Sequence, residues 1–146
     1  MRQSAAQWAY QGVKGVDGAP LPPLADAAVL LPAGAGGPVF LVGPNFRVIL
    51  RYNNATSYAL AVGLLAQRLA GGPGVHAAWP RELATLSRQQ LVALQTALNQ
   101  RGFDSGAPDG VMGPATRAAI RAYQRSVGLP ADGYPTLELL QRVQAQ

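Results

Sequence analysis

Apolar positions along this 146-residue chain follow two rhythms. In the C-terminal part the rhythm is helical: Leu91, Leu94, Gln95 and Leu98 share one face of "RQQLVALQTALNQRG", with Ser87 placed to cap its start and Gly102 to end it. Phe103 then turns back toward the core. Pro114 opens a second helix with Thr116, Ala119, Ile120, Tyr123 and Val127 inward, and Pro135 opens a third with Leu139, Leu140 and Val143 inward. Each of these two helices is preceded by Asp-Gly, at Asp109-Gly110 and Asp132-Gly133, and the order Asp-Gly, Pro, Thr, apolar run occurs in both places. Asp-Gly is turn chemistry, so the chain builds one turn-and-launch device twice. The second copy is three residues shorter between Asp-Gly and Thr, which makes a pseudo-repeat and not a solenoid.

The N-terminal part is shorter in rhythm. A small polar helix is expected around Trp8, and "AAVLLP" and "GPVFLVG", bounded by Gly or Pro, predict two strands. In "FRVILRY", residues 46–52, Phe46, Val48 and Leu50 alternate with Arg47, Ile49 and Arg51, which predicts a third, half-buried strand. "NNATS" offers four capping side chains before a helix whose Ala61, Leu64, Leu65 and Leu69 predict a buried face. Gly71, Gly72 and Pro73 stop it. "GGPGVHAAWPRELAT" has no periodicity and reads as a linker, with Trp79 and Pro80 docking on a neighbouring domain. The expected fold class is α+β, with domains over 1–71 and 86–146 and a linker over 72–85.

Composition narrows the partners. Hydrophobic residues make up 49% and charged residues 13%, enough for a core and too few charges for a disordered chain. The net charge of +5 is spread out, with six basic and three acidic residues before Leu86 and six and four from Leu86 onward. No basic run or aromatic-studded stripe suggests nucleic acid. There is no Cys, and the N-terminus "MRQSAAQWAYQGVKG" lacks the apolar core of a signal peptide. No apolar run is long enough to span a bilayer.

Two resemblances follow from particular residues. Leu94-Gln95, Gly102-Phe103, Asp109-Gly110, Gly113-Pro114 with Thr116, Tyr123-Gln124, and Leu129 before Asp132-Gly133 resemble the three-helix peptidoglycan-binding module, from Leu86 to about Val143. The second turn, Gly133-Tyr134-Pro135-Thr136, is shorter than that pattern. Asn45-Phe46, Arg51-Tyr52-Asn53 and Ser57-Tyr58-Ala59 are similar to the C-terminal end of the lysozyme-like domain of lytic murein transglycosylases of the MltB-like class. Ala55 stands where Ser is more usual in that class.

These resemblances imply a peptidoglycan-binding protein of the bacterial cell envelope or periplasm, with no cofactor or metal and glycan strands or stem peptides as partners. By position, Tyr52 and Asn53 inherit a saccharide-contact role. Arg117, Arg121, Tyr123 and Gln124 are the expected exposed contacts of the binding module, and Asp109 and Asp132 are expected to be architectural. The class cleaves the MurNAc–GlcNAc bond with one Glu as acid and then base, forming a 1,6-anhydro product. The chain's two Glu residues, Glu82 in the linker and Glu138 on the third helix, match no such motif and are expected at the surface. The expectation is therefore the C-terminal portion of a transglycosylase, inactive alone, with its catalytic half upstream of Met1. The alternative is a small helical protein-interaction domain without glycan affinity. His76 lacks the neighbours for a zinc site or a triad.

Overall fold

The computed structural model describes residues 1–81 and 85–145. It divides into two compact units: Met1–Pro32 with Gly36–Trp79, and Ala33–Ala35 with Pro80–Gln146. Glu82, and with it part of the expected linker, lies outside the described residues.

In the first unit Ser4 opens α1 (Ala5–Tyr10) through a capping box: its hydroxyl accepts from Gln7 N, and the Gln7 side chain accepts from Ser4 N. Trp8 Nε1 donates to the carbonyl of Ala27 at 3.1 Å, tying α1 to the start of β1 (Ala28–Leu30). β1 pairs antiparallel with β2 (Phe40–Val42), in the register Ala28 to Val42, Val29 to Leu41 and Leu30 to Phe40. The two predicted strands are thus present. Trp79 packs its ring at 6.2 Å from Phe40.

The third predicted strand is a helix. Residues 46–52 lie in α2 (Pro44–Tyr52), which starts at N-cap Gly43 with Pro44 in its first turn. The proline has the φ a helix needs and no N–H to lose, so it sets the first turn. Phe46, Ile49 and Leu50 are then partly covered while Val48 is exposed, which is helical spacing. Arg47 pairs with Asp26. α3 (Thr56–Leu69) follows after Asn53, Asn54 and Ala55, and its N-cap is Ala55 without any side-chain cap, so none of the four expected capping side chains caps it. Nor is α3 a buried helix. Ala59 and Leu60 are buried against α2, but Ala61 is exposed and Leu65 and Leu69 are 61% and 81% exposed. The apolar spacing is real, yet within this unit nothing covers the outer turns.

The second unit is a three-helix module. α4 (Arg88–Gln100) begins with a capping box in which Ser87 accepts from Gln90 N and Gln90 accepts from Ser87 N. α5 (Pro114–Ser126) starts from Gly113 with Pro114 at its head. α6 (Leu137–Ala145) starts two residues later than Pro135. Thr136 fixes that start, accepting from Leu139 N at 3.1 Å through its hydroxyl, the ordinary N-cap bond. Leu91, Leu94, Leu98, Ala119, Ile120, Tyr123, Leu139, Leu140 and Val143 form one core, joined by Phe103, whose ring meets Tyr123 edge-on at 5.6 Å. α4 and α5 end alike. Phe103 N donates to Leu98 O at 2.9 Å and Leu129 N to Gln124 O at 2.8 Å, past Gly102 at φ 80° and Gly128 at φ 71°. Both are Schellman closures, with an apolar residue returned to the core after the glycine.

Candidate functional site

Two groups of side chains carry the expected chemistry, one in each unit. In the first, the end of α2 and the start of α3 bring Tyr52 and Tyr58 together, with ring centroids 6.2 Å apart and planes inclined by 32°. Tyr52 is 85% exposed. Asn53 ends α2 in an extended conformation, its N–H donating to Ile49 O at 3.0 Å, and its side chain is exposed beside that of Asn54. Tyr52 and Asn53 therefore stand at a helix end and not at a strand end. Two rings and two amides on one corner can stack on and hydrogen-bond a polyhydroxylated ligand. Tyr58 was legible as part of the motif, but its pairing with Tyr52 needs α2 to be a helix.

In the second unit the doubled Asp-Gly turns are each clasped by a buried glutamine of the preceding helix. Gln95, 1% exposed, accepts from Gly110 N at 2.9 Å and donates through Nε2 toward Asp109 Oδ1, Val111 O and Thr116 Oγ1 at 3.1–3.2 Å. Gln124, 6% exposed, accepts from Gly133 N at 2.9 Å and donates to Asp132 Oδ1 at 2.7 Å. The aspartates close the pattern, because Asp109 Oδ1 accepts from Val111 N and Asp132 Oδ1 from Tyr134 N, both at 2.8 Å. Gly110 and Gly133 both take φ 73°. Asp109 and Asp132 are thus engaged by their own turns and the clasping glutamines, and Asp132 Oδ2 also accepts from Ala35 N at 2.8 Å, as expected for architectural residues.

Gln124 departs from expectation, and of the two readings of Tyr123 the inward one holds. Tyr123 is 1% exposed and belongs to the core, and Gln124 belongs to the second clasp, so neither is an exposed contact. They sit on the inward face of α5 with Ile120, and a polar label on Gln124 hides that its partner is a buried turn. Arg117 is exposed. Arg121 is half-buried and lies over Gly133, where an added Cβ would come within 3.1 Å of Arg121 Cγ and 3.0 Å of its Nη1. Glu138 is exposed in the first turn of α6, far from the burial that a general acid needs. His76 is also exposed. Among the described residues no three His, Asp or Glu side chains gather as metal ligands, and no helix is long and apolar enough to cross a membrane. An open groove of about 540 Å³ runs between α4 and α6 beside Ala97, Arg101 and Val143.

The Asp109 carboxyl is held below the usual carboxylate range, first by the Val111 N–H and then by the Gln95 side chain, with a smaller pull from Arg88. A pKa lowered by folding stabilises the fold above the unfolded pKa, and that contribution is lost as pH falls through the lowered value. The thermal midpoint of Asp109→Asn should therefore lie below that of the parent at neutral pH, with the gap closing on acidification below about pH 4. A gap that stays constant down to strong acid would show that the charge contributes nothing.

With both groups placed, the class of the chain is defined. Residues 1–67 match the Transglycosylase SLT domain family and residues 87–143 the Putative peptidoglycan binding domain family, so a transglycosylase SLT segment is followed by a peptidoglycan-binding domain. Among solved structures, SltB3 from Pseudomonas aeruginosa in complex with NAG-anhNAM-pentapeptide is 52% identical at a TM-score of 0.91, over 99% of this chain and 39% of that one. The same protein in complex with NAG-NAM-pentapeptide matches at 52% identity and a TM-score of 0.91, over 98% of this chain and 39% of that one. The localization factor PodJL of Caulobacter vibrioides is 49% identical over 53 residues, 36% of this chain and 5% of that protein. The spore cortex-lytic enzyme of Bacillus cereus is 43% identical over 47 residues, 32% of this chain and 18% of that protein. The chain thus spans well under half the length of each of these relatives. The mixed fold and both resemblances read from the sequence hold.

Proposed function

We propose that this chain binds peptidoglycan in the cell envelope, as the C-terminal portion of a lytic transglycosylase whose catalytic Glu belongs to a part of the domain not included in these 146 residues. The observation that carries this reading is the 52% identity, over 99% of the chain, to a protein solved with a NAG-anhNAM-pentapeptide. Tyr52 and Asn53 contact saccharide in this reading, and Arg117 and Arg121 contact the wall from the binding module, with domains over 1–71 and 86–146 about a linker at 72–85. The exposed Val48, Leu65 and Leu69 support the missing portion, since apolar side chains so open to water are what a further part of the domain would cover. Association with that catalytic half is therefore part of the proposal.

A second reading is supported by the match to PodJL, a localization factor by name: the module alone serves protein interaction without glycan affinity. One experiment separates the two. The purified chain should co-sediment with sacculi and release no anhydro-muropeptides from them, and Glu82→Gln and Glu138→Gln should alter neither result. Failure to sediment would favour the interaction module, and release of anhydro products abolished by either substitution would place the acid within this chain.

A further inference from the structure

We infer that Arg117, Arg121 and Arg125 form a carboxylate-binding row on α5 that grips the stem peptides of peptidoglycan and not its glycan. The inference rests on the peptidoglycan reading above and adds which part of the polymer is held. The three arginines stand at i, i+4 and i+8 of one 13-residue helix, each one position beyond the buried Thr116, Ile120 and Gln124. They thus follow the border between the covered face and water. Like charges four residues apart disfavour a helix, and among the described residues no ion pair relieves them. The first turn of α5 has no acidic residue, and among the described residues the ion pair is that of Arg47 with Asp26, in the other unit. Asp132, next to the Gly133 turn that Arg121 covers, already accepts from Tyr134 N, from Ala35 N and from the Gln124 side chain.

The row is also partly set before a ligand arrives. Arg121, its middle member, is half-buried over the Gly133 turn, so less rotamer freedom is lost when its guanidinium takes up a partner. Arg117 and Arg125 are exposed on either side. Guanidinium matches carboxylate with two parallel hydrogen bonds, which a neutral sugar hydroxyl cannot return. Spacing agrees as well. Residues four apart on a helix rise by about 6 Å, and alternate side groups of an extended peptide are spaced by roughly 6.6 Å. An extended peptide carrying several free carboxylates can therefore meet the row in register, and the stem peptide is the anionic component of peptidoglycan.

The test uses the full chain and three probes: intact sacculi, sacculi whose carboxyls have been converted to neutral amides by carbodiimide coupling, and soluble competitors. Amidation should weaken co-sedimentation at least about tenfold, and free stem peptide should compete where neutral N-acetylglucosamine oligomers do not. Arg125→Gln and Arg117→Gln should each weaken binding roughly three- to tenfold at an unchanged thermal midpoint, whereas Arg142→Gln, on α6, should bind as the parent does. Arg121→Gln should do the same or more, with its midpoint recorded because the side chain covers a turn. Equal binding to native and amidated sacculi, or competition by neutral N-acetylglucosamine oligomers as strong as by stem peptide, would overturn the row while leaving peptidoglycan as the ligand. Equal retention on duplex DNA would overturn it in favour of a general polyanion surface. Absence of binding to any form of sacculus would overturn the peptidoglycan reading itself.

Discussion

Gln95→Ala should lower the thermal midpoint of the C-terminal module by on the order of 15 °C, the largest effect of any single side-chain truncation outside its apolar core. Two amide hydrogens of Gln95 are shared among Asp109, Val111 and Thr116, and its oxygen holds the N–H of Gly110. Alanine removes all of this, leaving the Gly110 N–H without its acceptor and the buried Thr116 hydroxyl with only the Ser105 carbonyl. A buried group left unsatisfied costs about 1–3 kcal/mol, so a loss of about 3 kcal/mol is expected. Each kcal/mol shifts the midpoint of a domain this small by about 4–8 °C. Gln124→Ala removes two bonds instead of four and should cost roughly half as much. Circular dichroism melts of the two variants beside the parent would decide it. A shift for Gln95→Ala no larger than that for Gln124→Ala would mean that the clasp is not what fixes the first corner.

The second large effect is expected at Gly110, and it is best seen against Gly102. Both glycines have positive φ, 73° and 80°. An alanine at 102 meets nothing within 4 Å and pays only for the left-handed backbone, about 1 kcal/mol. At 110 the new Cβ would lie 2.5 Å from Arg88 Cγ and 2.9 Å from the Arg88 carbonyl oxygen. The side chain can swing away, but the carbonyl belongs to the first turn of α4 and cannot move without shifting the helix start. Overpacking adds about 1–3 kcal/mol to the backbone strain. Gly110→Ala should therefore melt well below Gly102→Ala, with a gap of on the order of 10 °C. Equal midpoints would show that the first turn yields freely.

How far the sequence could be read depended on whether a signal was local. Ser87, Gly102 and Pro114 act within a few residues of themselves, and α4 and the start of α5 were legible from them. The same reasoning applied at Gly43-Pro44 would have named α2. Over residues 46–52 the strand pattern Phe46, Val48, Leu50 and the helix pattern Phe46, Ile49, Leu50 are equally good, and only the proline before them breaks the tie. Gln124 was misplaced for a different reason. Its partner Asp132 is eight residues away across a Schellman closure, and outward or inward placement of a glutamine cannot be judged without that partner. Gln95 follows a core leucine just as Gln124 follows the core tyrosine, and the parallel was the available clue. In α3 the apolar spacing was right and the burial was not, because burial depends on what lies opposite a face.

The two clasps also bear on how quickly the module assembles. Gln124 reaches Asp132 across eight residues, and Gln95 reaches Asp109 across fourteen. Chain-closure entropy rises with the length of the loop, so the second corner closes at less cost than the first. Corners stitched over such short separations lower the contact order, which in helical domains goes with folding in microseconds to milliseconds. Of the two corners, the C-terminal one therefore carries the lower closure cost whenever an opened module refolds.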